Sequence, residues 1–164
     1  MSPLPWAVVD LDGTVADVRH RLRHVERRPK DWKAFFSAAP EDPLLPEGAA
    51  VVRRLAQDHR LAYLSGRPER CRRDTEEWLQ RHELPPGPVY LRRDDDRRPS
   101  WMGKLSRLRR LAADGGVDVL VDDDLMVVRQ ARSAGFTVLH ADWMPRSDDG
   151  QDALFEAQET DGRT

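Results

Sequence analysis

Apolar side chains collect in five short runs, Trp6 to Val9, Leu61 to Leu64, Val89 to Leu91, Val117 to Val121 and Phe136 to Leu139, each bounded by polar residues or glycine. A nearly unbroken apolar run of this length reads as a strand buried on both faces, because a strand with one wet face would alternate. The stretches between them behave differently. Glu47 to Asp58, Glu69 to His82, Trp101 to Ala113 and Leu125 to Ala134 repeat their apolar residues at intervals of three and four, which predicts helices with one buried stripe. Strands alternating with helices of this length make βαβ units, with right-handed crossovers and parallel strands. The pattern therefore predicts an α/β fold, a three-layer sandwich of about five parallel strands.

Two segments fall outside this rhythm. Residues 15–46 carry one predicted short helix, Asp31 to Ala38, punctuated by Pro29, Pro40, Pro43 and Pro46, and are too long for a simple strand-to-helix connection. They read as a small lid. From Arg146 onward the sequence is polar and acidic, a tail expected to be loosely ordered. The predicted organisation is one domain over residues 1–145, with the lid insertion at 15–46 and the tail at 146–164.

Composition narrows the class. A hydrophobic content of 39% over 164 residues suits one core and leaves little for a second. The 27 basic and 29 acidic side chains nearly cancel, so net charge points to neither a nucleic-acid binder nor a membrane-surface protein. Local clusters carry more. Only Lys30, Lys33 and Lys104 are lysines, so a lysine in a suggestive place is informative, whereas arginine is common. Cys71 is the sole cysteine, which excludes an intrachain disulfide and a thiolate metal cage. With no early basic segment leading into an apolar stretch, and no apolar run of about 18 residues, a cytoplasmic protein without a membrane span is expected.

The candidate chemistry gathers where strands end. Asp10-Leu11-Asp12-Gly13-Thr14 follows the first apolar run, placing two carboxylates where open α/β sheets hold their ligands. Such a pair is either a plain Asp-Gly turn or a site in which a hard cation such as Mg²⁺ neutralises gathered acids. Ser65-Gly66-Arg67 follows the second run, where a hydroxyl, free backbone N–H groups and a guanidinium can receive phosphate, or simply cap a helix. Asp122-Asp123-Asp124 ends the fourth run, and a central parallel strand would set these acids beside Asp10 and Asp12. Asp94-Asp95-Asp96, in an arginine-rich connection, reads instead as solvated loop. Lys104 lies near the start of a helix, whose positive end gives an ammonium no reason to be there, and pairing with phosphate or a carboxylate supplies one.

In order, Asp10-x-Asp12-Gly13-Thr14, Ser65-Gly66, Lys104 and Asp122-Asp123 resemble the signature of the haloacid dehalogenase superfamily of phosphohydrolases. The resemblance covers residues 6 to 140 and is nearest to the 3′-phosphatase domain of phage-type polynucleotide kinase-phosphatases, through Ser65-Gly66-Arg67, Val127-Val128, Trp78, a small lid and Arg21. It implies a Rossmann-like sandwich with a small lid rather than a full cap domain. It further implies a phosphatase with Asp10 as nucleophile, Asp12 as general acid/base, and Lys104 neutralising charge. Ser65, Gly66, Arg67 and Arg21 would bind the phosphate, and Asp10, Asp12, Asp122 and Asp123 would hold Mg²⁺.

Two departures stand out. No G-x-x-x-x-G-K-[ST] loop is present, so no kinase half is expected, and Ser100 stands where that family carries an acid four residues before the lysine. A phosphorylated substrate is implied, either a nucleic-acid 3′ end or a small metabolite, and a noncatalytic binding module is the remaining alternative. Arg19, Arg21, Arg23, Arg27 and Arg28 of the lid, with Arg92, Arg93, Arg97 and Arg98, could follow a phosphate backbone or merely be solvated. Trp32, Phe35 and Phe36 could stack bases or pack inward. No obligate protein partner is evident.

Overall fold

The computed structural model describes residues 2–145, so the tail from Arg146 lies outside the described residues. Five strands, β1 (Trp6–Val9), β2 (Arg60–Pro68), β3 (Val89–Arg92), β4 (Val117–Asp122) and β5 (Val138–His140), form one sheet in the order β3-β2-β1-β4-β5. Every pairing is parallel. The insertion after β1 holds two short helices, α1 (Arg23–Glu26) and α2 (Trp32–Ser37). Four longer helices follow: α3 (Pro46–Leu55), α4 (Arg72–Arg81), α5 (Ser100–Ala113) and α6 (Leu125–Ser133).

Because successive strand residues face opposite ways, β1 feeds two cores at once. Ala7 and Val9 pack with Ala49 and Val52 of α3 and with Trp78 and Leu79 of α4. Trp6 and Val8 pack with Leu105, Leu108 and Leu111 of α5 and with Val127, Val128 and Ala131 of α6. The three predicted layers follow from this division. The chain runs from β1 outward to β3, then crosses back to β4, so β1 and β4 flank the point where strand order reverses. Crevices at such points are where α/β sheets bind ligands.

The four longer predicted helices and all five strands are present, most with shifted ends and β1 with none. β2 runs on to Pro68 because the backbone stays extended through Ser65-Gly66-Arg67, with its register to β3 shifting between Leu64 and Pro68. Consequently α4 begins at Arg72, after a single tight turn over Glu69–Cys71. The insertion is more structured than expected, since α1 was not anticipated and the aromatic residues of α2 are buried. Val18, Leu22, Val25, Trp32, Phe35 and Phe36 form a third apolar cluster with Leu45, Cys71 and Met144. The stacking surface considered for Trp32, Phe35 and Phe36 is therefore spent on packing. No helix among the described residues is long and apolar enough to cross a membrane.

Candidate active site

The loop after β1 is a tight knot. The amides of Thr14, Val15 and Ala16 all donate to the Leu11 carbonyl, at 2.9 to 3.1 Å, and the amide of Gly13 donates to the Ala16 carbonyl. Gly13 sits at φ +80°, and a Cβ there would run into the Asp123 carboxylate. Only glycine meets both demands. The knot is held from outside by Trp143, whose indole N–H donates to the Thr14 carbonyl at 2.8 Å, and by α3, where Gly48 approaches that same carbonyl too closely to carry a side chain. The Asp-Gly turn and the two carboxylates it carries are thus one object.

Asp10 is buried at the end of β1, its amide donating to the Val121 carbonyl. Lys104, one turn into α5, donates to Asp10 Oδ1 at 2.9 Å and to Asp122 Oδ2 at 2.7 Å. Burial opposes that ammonium's charge, but Asp10 and Asp122 outweigh it and raise its pKa. Thr14 Oγ1 donates a longer bond, 3.4 Å, to Asp10 Oδ2. Carboxylate oxygens of Asp10, Asp122 and Asp123 lie within 4.8 Å of one another. Burial first, then the nearby Asp10, pushes Asp122 up to about 7 and Asp123 well above the usual carboxylate range. One lysine does not balance this many buried acids. An all-oxygen donor set with surplus negative charge suits a hard divalent cation. Asp124, the third acid of the run, instead caps α6 by accepting from the Met126 amide, and its own amide donates to Asp122 Oδ1.

Asp12 has different neighbours. Its Oδ1 accepts from Arg21 Nη2 at 2.8 Å and from Arg67 Nε and Nη2 at 3.0 and 2.6 Å. Its Oδ2 is buried and has no partner among the described residues. Burial pushes this carboxyl up, yet the two guanidinium groups prevail and hold it at about 2. Two carboxylates two residues apart thus sit in unlike surroundings, one on a lysine beside other acids and one on arginines.

Both arginines continue to Asp42, which is fully buried. Asp42 accepts from Arg21 Nε and Nη2, both at 2.8 Å, and from Arg67 Nη2 at 3.2 Å. His20 reaches it from the surface at 2.6 Å. Arg67 Nη1 donates to Thr75, Arg21 Nη1 to the Phe35 carbonyl, and Arg21 lies over the Phe35 ring at 4.3 Å. Every guanidinium nitrogen of the pair is engaged. Arg21 and Arg67, expected to bind phosphate, are spent in this structure on Asp12 and Asp42, because two buried cations require buried anions. Ser65 Oγ accepts from the Arg67 amide, leaving its O–H to donate. Ser65, Gly66 and Lys104 line a cavity of about 280 Å³ that opens between β3 and α5.

Sequence reasoning missed Asp42, Thr75 and Trp143. Asp42 lies between prolines with no periodic pattern, and nothing local marks it as buried. The remaining lid arginines take no part in this ion-pair cluster: Arg19 pairs with Asp17, Arg27 pairs with Asp31, and Arg23 and Arg28 are exposed. Of the Asp94-Asp95-Asp96 loop, Asp94 and Asp95 are exposed as expected, but Asp96 is largely covered, held by Arg98, and lines the cavity.

A parallel sheet with acids at the ends of its two central strands, a serine at the next strand end and a lysine from the following helix define a phosphatase of the haloacid dehalogenase type. The family described as the polynucleotide kinase PNKP phosphatase domain matches residues 5–143, and the chain belongs to it. Among solved structures it is similar to a chain of the Pnkp1/Rnl/Hen1 complex, with 27% identity and a TM-score of 0.68 over 84% of this chain and 45% of that one. A second structure of this assembly, titled an RNA repair complex, gives 26% identity, a TM-score of 0.68 and 84% and 42% coverage. The chain thus spans less than half of those relatives. A haloacid dehalogenase-like hydrolase from Streptococcus pneumoniae shares the fold over 92% of this chain and 90% of its own, with 14% identity and a TM-score of 0.59. No curated protein matches.

Proposed function

We propose that this phosphatase is a Mg²⁺-dependent phosphomonoesterase that removes terminal 3′-phosphates from polynucleotides through an aspartyl-phosphate. The observation that carries the chemistry is the division of labour between Asp10, held by Lys104, and Asp12, anchored through Oδ1 with its buried Oδ2 unpaired among the described residues. An oxygen of Asp10 attacks phosphorus while the ester P–O bond breaks, and the departing alkoxide takes a proton from Asp12 Oδ2. The phosphate dianion arriving beside Oδ2 raises that oxygen's proton affinity against the pull of the arginines. Water then attacks the acyl-phosphate phosphorus, Asp12 receives its proton, and inorganic phosphate leaves with Asp10 restored. Ser65 O–H and the Gly66 amide donate to the phosphoryl oxygens, and Lys104 balances their charge. Asp10, Asp122 and Asp123, with Asp12 contributing its backbone carbonyl, would hold Mg²⁺, which supplies Lewis-acid neutralisation of phosphoryl charge.

Membership of the PNKP phosphatase family and similarity to a component of an RNA repair complex support a nucleic-acid end as substrate. The test measures phosphate release with Mg²⁺ from a 3′-phosphorylated oligonucleotide, a nucleoside monophosphate and an aryl phosphate, beside an Asp10→Asn control. Release by wild type alone, fastest from the oligonucleotide, is expected. Equal release by both proteins, or none, would sink the catalytic reading, and a flat substrate profile would identify a generalist.

A further inference from the structure

The cavity that begins at Ser65, Gly66 and Lys104 does not end there. It continues along α5 and β3, where its wall carries Arg92, Arg107 and Arg110. Lys104, Arg107 and Arg110 follow one another at intervals of three, so they share a helix face and climb about 4.5 Å per step away from the site. Arg93 and Arg98, which also line the cavity, are already paired with Asp95 and Asp96. Arg107 and Arg110 have no carboxylate partner among the described residues. Arg107 is instead held in place over the Tyr90 ring, with its guanidinium carbon 4.2 Å from the ring centre. A guanidinium stacked on a ring keeps its N–H edge free for an anion and loses little freedom on binding one. The cavity is therefore more basic than the phosphoryl site alone requires, and its surplus lies on one side.

We propose that Arg107 and Arg110 form a second anion subsite that takes the internucleotide phosphate next to the terminal one, so that this chain prefers substrates carrying a phosphate on both sides of the last sugar. The proposal rests on the phosphatase reading above and adds to it the direction in which the strand leaves the site. Pairing to both guanidinium groups is charge-assisted, and the preference weakens as salt rises.

The experiment compares kcat/KM for thymidine 3′,5′-bisphosphate and thymidine 3′-monophosphate in wild type, an Arg107→Ala/Arg110→Ala double variant, and Arg109→Ala, an exposed arginine of the same helix that does not line the cavity. A wild-type ratio of about tenfold is expected in favour of the bisphosphate, falling toward one in the double variant and retained in Arg109→Ala. Equilibrium binding of the bisphosphate to Asp10→Asn protein, with and without the double substitution, reads the subsite independently of turnover. A weaker complex with the double substitution supports it. A wild-type ratio of one with both esters hydrolysed, or unchanged binding in the double variant, overturns the subsite and leaves the phosphatase reading intact. No hydrolysis of either ester, with binding still dependent on Arg107 and Arg110, overturns the phosphatase reading instead.

Discussion

Asp12 shows how much a single side chain depends on residues beyond its own neighbours in sequence. Its Oδ1 is fixed by two arginines that are themselves fixed by Asp42, so the orientation of the free Oδ2 is inherited through two layers of ion pairs. Replacing Asp42 with Asn should therefore lower kcat/KM by about tenfold or more for an alkyl phosphate, whose leaving group needs a proton, and much less for a p-nitrophenyl ester. Steady-state kinetics on the two esters check this. Asp42→Ala should also cost about 3 kcal/mol in a denaturant titration, because it strands buried guanidinium charge. Lys104→Met should reduce kcat about a hundredfold or more, since the ammonium balances Asp10 and, in the proposed reaction, would face the developing phosphoryl charge. Lys104 was readable from sequence because lysine is rare here and its position defied the helix dipole. The direction of Arg21 and Arg67 was not: spacing shows that an arginine is near a site, but only the presence of Asp42 decides whether it faces substrate or protein.

Among the elements, sequence legibility follows burial. The runs that became β1 and β4 are sandwiched between helices, so their pattern is strong and Trp6 to Val9 is recovered without error. α1 has four residues and no full turn of pattern to read, and β2 overran its apolar run because extended backbone through Ser65 and Gly66 needs no apolar side chains. Helix α3 is positioned by a missing side chain. A methyl at Gly48 would meet the Thr14 carbonyl, which is backbone and cannot swing away, so Gly48→Ala should destabilise by about 1–3 kcal/mol and loosen the loop after β1, measurable by thermal melting and by kcat.

At the far end of the sheet, His59 straps the exit of α3 to β4, with Nε2 2.6 Å from Asp118 Oδ2 and Nδ1 2.6 Å from Asp58 Oδ1. The bond to Asp118 is the main cause of its raised pKa. A group with a raised folded pKa stabilises most when protonated, so this strap is fully present below the unfolded histidine value of about 6.5 and is lost as pH climbs through the higher folded value. The melting-temperature gap between wild type and His59→Gln should accordingly be larger near about pH 5.5 than near about pH 8.5.

Taken whole, the molecule brings acids from residues 10 and 122 to adjoining strand ends and faces them with one lysine from the opposite layer. A divalent ion in that acid cluster binds only the folded chain, so Mg²⁺ should raise the melting temperature, by the equivalent of about 2.7 kcal/mol at a hundredfold excess over Kd, and far less in Asp123→Asn. Differential scanning fluorimetry across a Mg²⁺ series checks it. The hold that Trp143 keeps on the Thr14 carbonyl has a consequence in time. A ribosome delivers Thr14 129 positions before the indole that fastens its loop, which follows β5. The growing chain therefore carries Asp10 and Asp12 well before the contact that holds their loop can form.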